Sequence, residues 1–260
     1  MISRSRSIHL TLHIHKDAAA MAERAAHLFA GHCEEAVAER GLFTVALSGG
    51  YSPIPLFRLL AGRDWVERLP WGKIHIYWVD ERCVGADHAD SNYGMTRREL
   101  LSQVPATYYY RMKGEEPPER AAQIYEDMLR DHFKLASGEL PRLDFILLGM
   151  GDDGHTGSLF AGSPGLREKK RLVIDQYVPE RKADRLTLTL PVLNNARCCL
   201  FLVNGEEKHG VLAKALDLLA QPSLPAQMVR PGFGDLIWIV DEQAALGRTL
   251  LSTRAPPPIS

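Results

Sequence analysis

The chain changes from apolar to glycine-rich within one stretch, Leu147-Leu148-Gly149-Met150-Gly151-Asp152-Asp153-Gly154-His155-Thr156. The apolar residues that end at Leu148 predict a buried strand, and the glycines that follow predict a loop. In an open α/β sheet, ligands bind at the carboxyl ends of the strands, which is where this loop begins. Because histidine side chains titrate near neutral pH, we interpret His155 as a candidate catalytic residue.

Outward from this stretch, strand-like and helix-like segments alternate along the chain. Apolar runs predict strands at 42–47, 74–79, 143–148, 185–190, 199–203 and 236–240, and an alternating run predicts another at 8–14. Helical patterns cover 17–40, 92–101, 119–133 and 207–219. Several strands are apolar almost throughout, which is typical of a parallel sheet covered by helices on both faces. We therefore predict an α/β fold, a doubly wound and mainly parallel sheet in a Rossmann-like three-layer sandwich.

The composition is that of an ordinary globular protein and excludes several classes. The 260 residues are 45% hydrophobic and 24% charged, and we predict a single domain, 1–260, with frayed ends at 1–7 and 255–260 and an irregular connection at 161–182. A net charge of -1 argues against a nucleic-acid partner, and the apolar runs are too short to span a membrane. The four cysteines show no C-x-x-C spacing, so we expect reduced thiols and a cytoplasmic location. Separately, we expect a monomer or weak homo-oligomer.

Three histidines alternate along the predicted strand 8–14 and just beyond it. His9, His13 and His15 are expected to face water. They could form a metal ladder, but no carboxylate or cysteine is interleaved with them, and we predict no metal site.

A second glycine loop, Ser48-Gly49-Gly50-Tyr51-Ser52-Pro53, joins a predicted strand to a helix. Its glycines allow backbone N–H groups to turn toward an anion, Ser52 can cap the helix and Pro53 suits its first turn. The loop is neither a Walker loop nor a dinucleotide fingerprint. It therefore predicts a phosphate site for a small substrate, although an ordinary strand-to-helix turn is the alternative.

Charged residues follow two other predicted strands. Asp80, Glu81 and Arg82 come after 74–79, where a sugar phosphate would offer hydroxyls to the carboxylates and anionic oxygens to the guanidinium. Adjacent side chains on an extended backbone point to opposite sides, so we expect only one of the two acids to face a substrate. Lys208 lies in the first turn of a predicted helix, against the usual charge preference, and an anion bound nearby would explain it.

These blocks, in this order, resemble the 6-phosphogluconolactonase family within the wider glucosamine-6-phosphate isomerase/deaminase superfamily. The resemblance covers nearly the whole chain and is carried by Leu47-Ser48-Gly49-Gly50, Val79-Asp80-Glu81-Arg82, Ser91-Asn92-Tyr93, the run from Leu148 to Phe160, Arg185-Leu186-Thr187-Leu188-Thr189-Leu190-Pro191 and Gly205-Glu206-Glu207-Lys208. The family commonly has Ser-Thr-Pro where this chain has Tyr51-Ser52-Pro53, and Pro where it has Ala161.

The resemblance implies hydrolysis of a sugar-phosphate lactone, 6-phospho-D-glucono-1,5-lactone, without a metal or organic cofactor. His155 would be the general base, with Asp153 orienting it or stabilising its protonated form. Arg82 and the backbone N–H of Gly151 would contact the substrate or the developing oxyanion, and Asp80 would contact the substrate. The phosphate would be bound by Ser48, Gly49, Gly50 and Ser52, to which the resemblance adds Lys208 and Arg185.

Two alternatives remain open. A glucosamine-6-phosphate deaminase shares the glycine loop, the Asp-Glu pair and a Gly-His dipeptide, but its pattern has Tyr in place of Arg82 and Ile-Ala-Phe-Asn-Glu-Pro in place of the run that begins at Thr156. A non-catalytic sugar-phosphate sensor is the other, against which the presence of both Asp153 and His155 argues.

Overall fold

Two β-sheets organise the computed structural model, which describes residues 10–217 and 220–245. Seven parallel strands form the central sheet: β1 (Leu10–His15), β2 (Phe43–Leu47), β3 (Ile74–Trp78), β5 (Tyr108–Tyr110), β6 (Phe145–Leu148), β9 (Cys198–Val203) and β10 (Asp235–Asp241). Their order is β1-β10-β9-β6-β2-β3-β5. A smaller antiparallel sheet, β4-β8-β7, contains β4 (Asp80–Arg82), β7 (Val173–Val178) and β8 (Ala183–Leu188).

Helices cover both faces of the central sheet. One face carries α1 (Ala18–Arg40), α2 (Ile54–Leu60), α3 (Arg63–Arg68) and α4 (Asn92–Thr96), which continues as a π-helical turn over Arg97–Leu101. The other carries α5 (Pro118–His132), α6 (Leu190–Leu193), α7 (His209–Ala215) and α8 (Pro225–Met228). This confirms the doubly wound α/β fold. Within the part of the chain that the structure describes, no helix is both long and apolar enough to cross a bilayer.

The strand β2 shows why the apolar runs become central strands. All five of its residues are buried. Val45 and Leu47 pack into the core on the α1 side, while Ala46 between them packs into the core on the α5 side. A strand with helices on both faces has no solvent-facing side, so its sequence is mostly apolar, and the one polar residue of β2, Thr44, is buried and donates a hydrogen bond to Asp144.

The long helix α1 begins and ends where its sequence predicts. The side chain of Asp17 accepts a hydrogen bond from the Ala20 amide at 2.8 Å and caps the first turn. Gly41, with φ of 81°, closes the last turn in the left-handed conformation. The predictions for 92–101, 119–133 and the central strands are also confirmed to within two residues at their described ends. Residues 1–7 and 255–260, and the last two of the predicted helix 207–219, lie outside the described residues.

The smaller sheet corrects two predictions. The predicted strand 185–190 is observed at Ala183–Leu188, and it pairs antiparallel with β4 and β7 instead of joining the parallel sheet. The connection 161–182, predicted to be irregular, contains β7. Because several residues of β7 are partly exposed, its sequence lacks the apolar run that marks a central strand. The three-residue strands β4 and β5 were not predicted either. The Leu188 amide donates to the Val79 carbonyl at 2.8 Å, which ties the smaller sheet to the end of β3.

The histidines of β1 correct another prediction. His13 and His15 are partly buried instead of facing water, and His9 lies outside the described residues. Burial, with the nearby guanidinium of Arg24, lowers the pKa of His13 to about 4. No three His, Cys, Asp or Glu side chains among residues 10–217 and 220–245 are grouped so that they could hold a metal ion.

Candidate active site

Four loops meet at one edge of the central sheet, where β9, β6, β2 and β3 end side by side. The chain continues from β2 to β3 in one direction and from β6 to β9 in the other, so the strand order switches between β2 and β6. Such a switch point opens a crevice in which α/β proteins bind ligands. In this protein the crevice is a cavity of about 470 Å³.

The cavity brings together residues predicted from separate loops. Its lining includes Ser48, Gly49, Gly50, Ser52, Asp80, Arg82, Gly151, His155, Arg185 and Lys208. Asp153 lies beside the cavity and is hydrogen-bonded to His155. Every residue that the sequence singled out for the site is therefore at this one position in the fold.

The His155 ring is held on two sides. Its Nδ1 lies 2.5 Å from Oδ1 of Asp153, and the same carboxylate oxygen accepts the backbone N–H of His155 at 3.0 Å. The ring stacks on Phe160 with 4.3 Å between centroids. The hydrogen bond from His155 outweighs partial burial and lowers the pKa of Asp153 to about 2. Asp153 is therefore an ionised acceptor across the neutral range, with the imidazole Nδ1–H as its donor.

Gly151 has a different role from the predicted one. Its backbone N–H donates to the His155 carbonyl at 2.9 Å, so that N–H is already engaged and does not form an oxyanion site. A Cβ at Gly151 would lie 2.1 Å from Nδ1 of His155 and 2.7 Å from Oδ1 of Asp153. Glycine is required here because the His155–Asp153 pair occupies the space of a side chain.

The loop after β2 forms another wall of the cavity. Gly50 has φ of 89°, a left-handed conformation that favours glycine. Ser52 does not cap α2 as predicted, because its hydroxyl donates to Oδ1 of Asn204, at the end of β9, at 2.7 Å. Tyr51 is 91% exposed at the rim. Lys208, in a 3₁₀ turn Glu206–Lys208 after β9, adds a positive charge to the same cavity.

Two arginines lie opposite each other on adjacent strands of the smaller sheet. Arg82 on β4 pairs in register with Arg185 on β8, and both line the cavity. Burial and the Arg82 charge lower the pKa of Arg185. The Nε atoms of both are buried with no hydrogen-bond partner in the described part of the chain. Like charges directly opposite each other are unfavourable in a sheet, so this pair is suited to an anion bound between the guanidinium groups.

The adjacent acids Asp80 and Glu81 point to different places, as predicted. Asp80 lines the cavity, and its carboxylate accepts hydrogen bonds from Ser158 Oγ at 2.7 Å and from Asn92 Nδ2 at 3.2 Å. Glu81 is 2% exposed and accepts the backbone N–H groups of Asn92 and Tyr93 at the start of α4. Asp80 is therefore the acid that faces the cavity, and Glu81 fixes α4.

Several further lining residues were not assigned to the site from the sequence, among them Asn92, Phe160, Arg181 and Asn204. Asn92 and Phe160 lie inside the blocks that carry the family resemblance, and Asn204 directly follows a central strand. Each of these positions was therefore a sequence signal for a site residue. Arg181 lies in a 3₁₀ turn between β7 and β8. No pattern around it indicated a hairpin that brings it to the cavity.

Fold and site together define a class: a doubly wound α/β protein with a cavity at its switch point, lined by glycine loops, cationic side chains and one histidine. The class is compatible with anionic, hydroxylated small molecules.

Comparison with known proteins gives the family. The model for glucosamine-6-phosphate isomerases/6-phosphogluconolactonase matches residues 16–238, and the chain belongs to this family. A 6-phosphogluconolactonase from Synechocystis sp. is 42% identical over 227 residues, which are 85% of this chain and 91% of that protein. This confirms the resemblance seen in the sequence.

Solved structures agree with the fold. The 6-phosphogluconolactonase from Trypanosoma brucei has a TM-score of 0.82 at 27% identity, covering 92% of this chain and 98% of that one. A monomeric glucosamine-6-phosphate deaminase has a TM-score of 0.76 at 19% identity, covering 92% and 100%. The second similarity shows that the deaminase shares the fold.

Proposed function

We propose that the protein is a 6-phosphogluconolactonase, which hydrolyses 6-phospho-D-glucono-1,5-lactone to 6-phosphogluconate, the second step of the oxidative pentose phosphate pathway. The observation that carries this proposal is the His155–Asp153 pair, whose imidazole lines a cavity that also contains Arg82, Arg185 and Lys208. The names of the relatives, such as the Synechocystis protein, support the same activity.

The geometry of His155 suits it to activate water. Because its Nδ1 faces the Asp153 carboxylate, Nδ1 carries the proton of the neutral ring and Nε2 holds the free lone pair. A water molecule that attacks the lactone carbonyl carbon loses a proton to Nε2, while Asp153 stabilises the resulting imidazolium.

Collapse of the tetrahedral intermediate completes the reaction. The bond between the carbonyl carbon and the ring oxygen breaks, and the ring oxygen takes the proton from His155. The new carboxylic acid ionises and releases one proton to solution. No covalent enzyme intermediate is needed, because a lactone is an activated ester and acid–base assistance contributes on the order of 10²- to 10⁴-fold.

The remaining side chains stabilise the oxyanion or bind the phosphate. With the Gly151 N–H engaged, we assign stabilisation of the oxyanion to Arg82, whose Nε has no partner among the described residues. We assign the phosphate to the loop of Gly49, Gly50 and Ser52 with Lys208, and a second cationic contact to Arg185.

Proton release in a pH-stat tests the activity directly. Freshly generated 6-phosphogluconolactone should be hydrolysed far faster with the wild-type protein than by itself, and unphosphorylated gluconolactone much more slowly. Glucosamine 6-phosphate, offered in parallel, should yield no ammonia. A lactone rate equal to the spontaneous one would refute the proposal, and ammonia release would favour the deaminase alternative.

We also propose a cytoplasmic location and a monomer or weak homo-oligomer. The four cysteines are all unbridged, which suits a reducing compartment. Sedimentation velocity at micromolar concentration should give a species near the chain mass of 29.0 kDa.

A further inference from the structure

The amide of Asn92 has only one orientation that satisfies its hydrogen bonds. Its Nδ2 faces two acceptors, the Asp80 carbonyl oxygen at 2.8 Å and Oδ1 of Asp80 at 3.2 Å. An amide oxygen placed there would meet two other acceptors and would be repelled. The oxygen of Asn92 therefore points the other way.

That oxygen lies over Gly49, and both residues are among those that line the cavity. A Cβ at Gly49 would be 1.8 Å from Oδ1 of Asn92, so only glycine leaves room for it. Asn92 is 2% exposed, and its Oδ1 has no hydrogen-bond partner among the described residues. A buried acceptor without a donor costs about 1–3 kcal/mol, which makes this atom a candidate ligand contact.

The chemistry of this position selects the kind of group it binds. An amide oxygen accepts hydrogen bonds, and the neighbouring Asp80 carboxylate also accepts. Phosphate oxygens would be repelled by both, whereas a hydroxyl group can donate. Ser48, which lines the same cavity and is 5% exposed, has a hydroxyl that also lacks a partner in the described chain.

We propose that Asn92 determines substrate specificity by accepting a hydrogen bond, through its amide oxygen, from one hydroxyl on the lactone ring. The inference rests on the proposed function. It divides the cavity into a cationic part for the phosphate and developing oxyanion, and an acceptor part, at Asn92 and Asp80, for the ring hydroxyls.

A cycle that combines substrate deletions with variants tests this contact. The kcat/KM of wild type and Asn92→Ala is measured on 6-phosphogluconolactone and on its 2-deoxy, 3-deoxy and 4-deoxy forms. For one deoxy form, wild type should lose about tenfold to 100-fold, the cost of leaving one buried acceptor unpaired. Asn92→Ala should show a similar loss on the parent lactone, and little further loss on that same deoxy form.

Two other variants distinguish a direct contact between Asn92 and the substrate from a structural role of Asn92 in the fold. Ser91→Ala removes the side chain that caps α4 but leaves the Asn92 amide in place, so any loss should be equal on all four lactones. Gly49→Ala displaces the amide oxygen while Asn92 stays in the sequence. Because Gly49 also belongs to the phosphate loop, this variant should lower kcat/KM on all four lactones, and in addition it should discriminate poorly against the same deoxy form. This variant tests the contact even if Asn92→Ala does not fold.

The outcomes are distinct. Selective loss of discrimination at one hydroxyl supports the contact. If Asn92→Ala and Gly49→Ala reduce the rates of all four lactones by one factor, Asn92 only holds Asp80 and α4, and the inference fails while the proposed function stands. If wild type does not accelerate hydrolysis of the parent lactone, both fail.

Discussion

At the scale of single residues, the position of the His155 ring follows from its close neighbours. Asp153 fixes Nδ1, Phe160 supports one face of the ring, and Gly151 leaves the space that the pair occupies. The ring is 22% exposed, so it reaches the cavity while most of its surface is packed. A side chain held in this way has little freedom to lose when a ligand binds.

The Asp153 carboxylate leads to a prediction about pH. Its pKa is lowered to about 2, so Asp153 is already ionised throughout the pH range of an assay. We expect Asp153→Asn to reduce kcat by roughly 10²-fold, because the amide cannot stabilise the imidazolium. Any acid limb of the profile of kcat/KM between pH 4 and 7 should persist in Asp153→Asn. Disappearance of such a limb would mean that Asp153 itself titrates there.

At the scale of elements, the pairing of β4 with β8 puts the cationic part of the site under strain. Arg82 and Arg185 are held in register by the antiparallel ladder, and the Arg82 charge contributes to lowering the pKa of Arg185. Because like charges directly opposite each other destabilise a sheet, we expect this pairing to lower the stability of the fold.

Replacing one of the two arginines should stabilise the fold and weaken substrate binding. We expect Arg185→Gln to raise the free energy of unfolding of the ligand-free protein by about 0.2–1 kcal/mol, measured by urea denaturation, and to raise KM at the same time. Arg63→Gln, at an exposed ion pair on α3, is the control and should change neither quantity measurably. A less stable Arg185→Gln with an unchanged KM would contradict the account.

A buried carboxylate ties α5 to the smaller sheet. Glu126, 4% exposed, accepts hydrogen bonds from Arg130 on its own helix and from Arg171 and the backbone N–H of Leu172 just before β7. Burial by itself would raise the pKa of Glu126, but these hydrogen bonds outweigh it and lower the pKa on balance.

The lowered pKa fixes the sign of a stability prediction. Ionised Glu126 stabilises the folded state above its ordinary pKa of 4.5, and this contribution is lost as the pH falls through the lowered value in the folded protein. We expect Glu126→Gln to cost about 2–3 kcal/mol at pH 7 by urea denaturation, and progressively less in acid. Asp131→Asn, on the exposed side of α5, should cost at most about 1 kcal/mol. A pH-independent cost of Glu126→Gln would disagree with an ionised carboxylate.

The elements differ in how well the sequence predicts them. The central strands were predicted because burial on both faces leaves an apolar run, and α1 because its sequence is rich in the helix-forming residues Ala, Glu and Arg. The strands β4, β5 and β7 were not, because their pairing partners define them and their own residues do not. The same distinction holds in the site: His155 and Gly49 stand out in glycine loops, whereas only the folded protein brings Arg181 to the cavity.

At the scale of the whole molecule, the cavity joins parts of the chain that are distant in sequence. Loops after β2, β3, β6 and β9 and a hairpin of the smaller sheet all contribute to it. A ligand that contacts all of them should stabilise the entire fold, since these elements belong to both halves of the central sheet.

Thermal denaturation with the reaction product checks this coupling. At 100 times its Kd, a ligand adds about 2.7 kcal/mol, and each kcal/mol raises the Tm of a domain of this size by about 2–4 °C. We therefore expect 6-phosphogluconate to raise the Tm by roughly 5–10 °C. Gluconate at equal concentration, and 6-phosphogluconate with Lys208→Ala, should give smaller shifts. Equal shifts from gluconate and 6-phosphogluconate would show that the site does not recognise the phosphate.

We assign to His155 the activation of the water that opens the lactone. This assignment is tested most directly by the kcat of His155→Ala in the pH-stat assay with freshly generated 6-phosphogluconolactone, after the variant is shown to bind 6-phosphogluconate like wild type. We predict a kcat lower by about 10²- to 10⁴-fold with a KM close to that of wild type. A variant that hydrolyses the lactone as fast as wild type would contradict the assignment of His155 as the base.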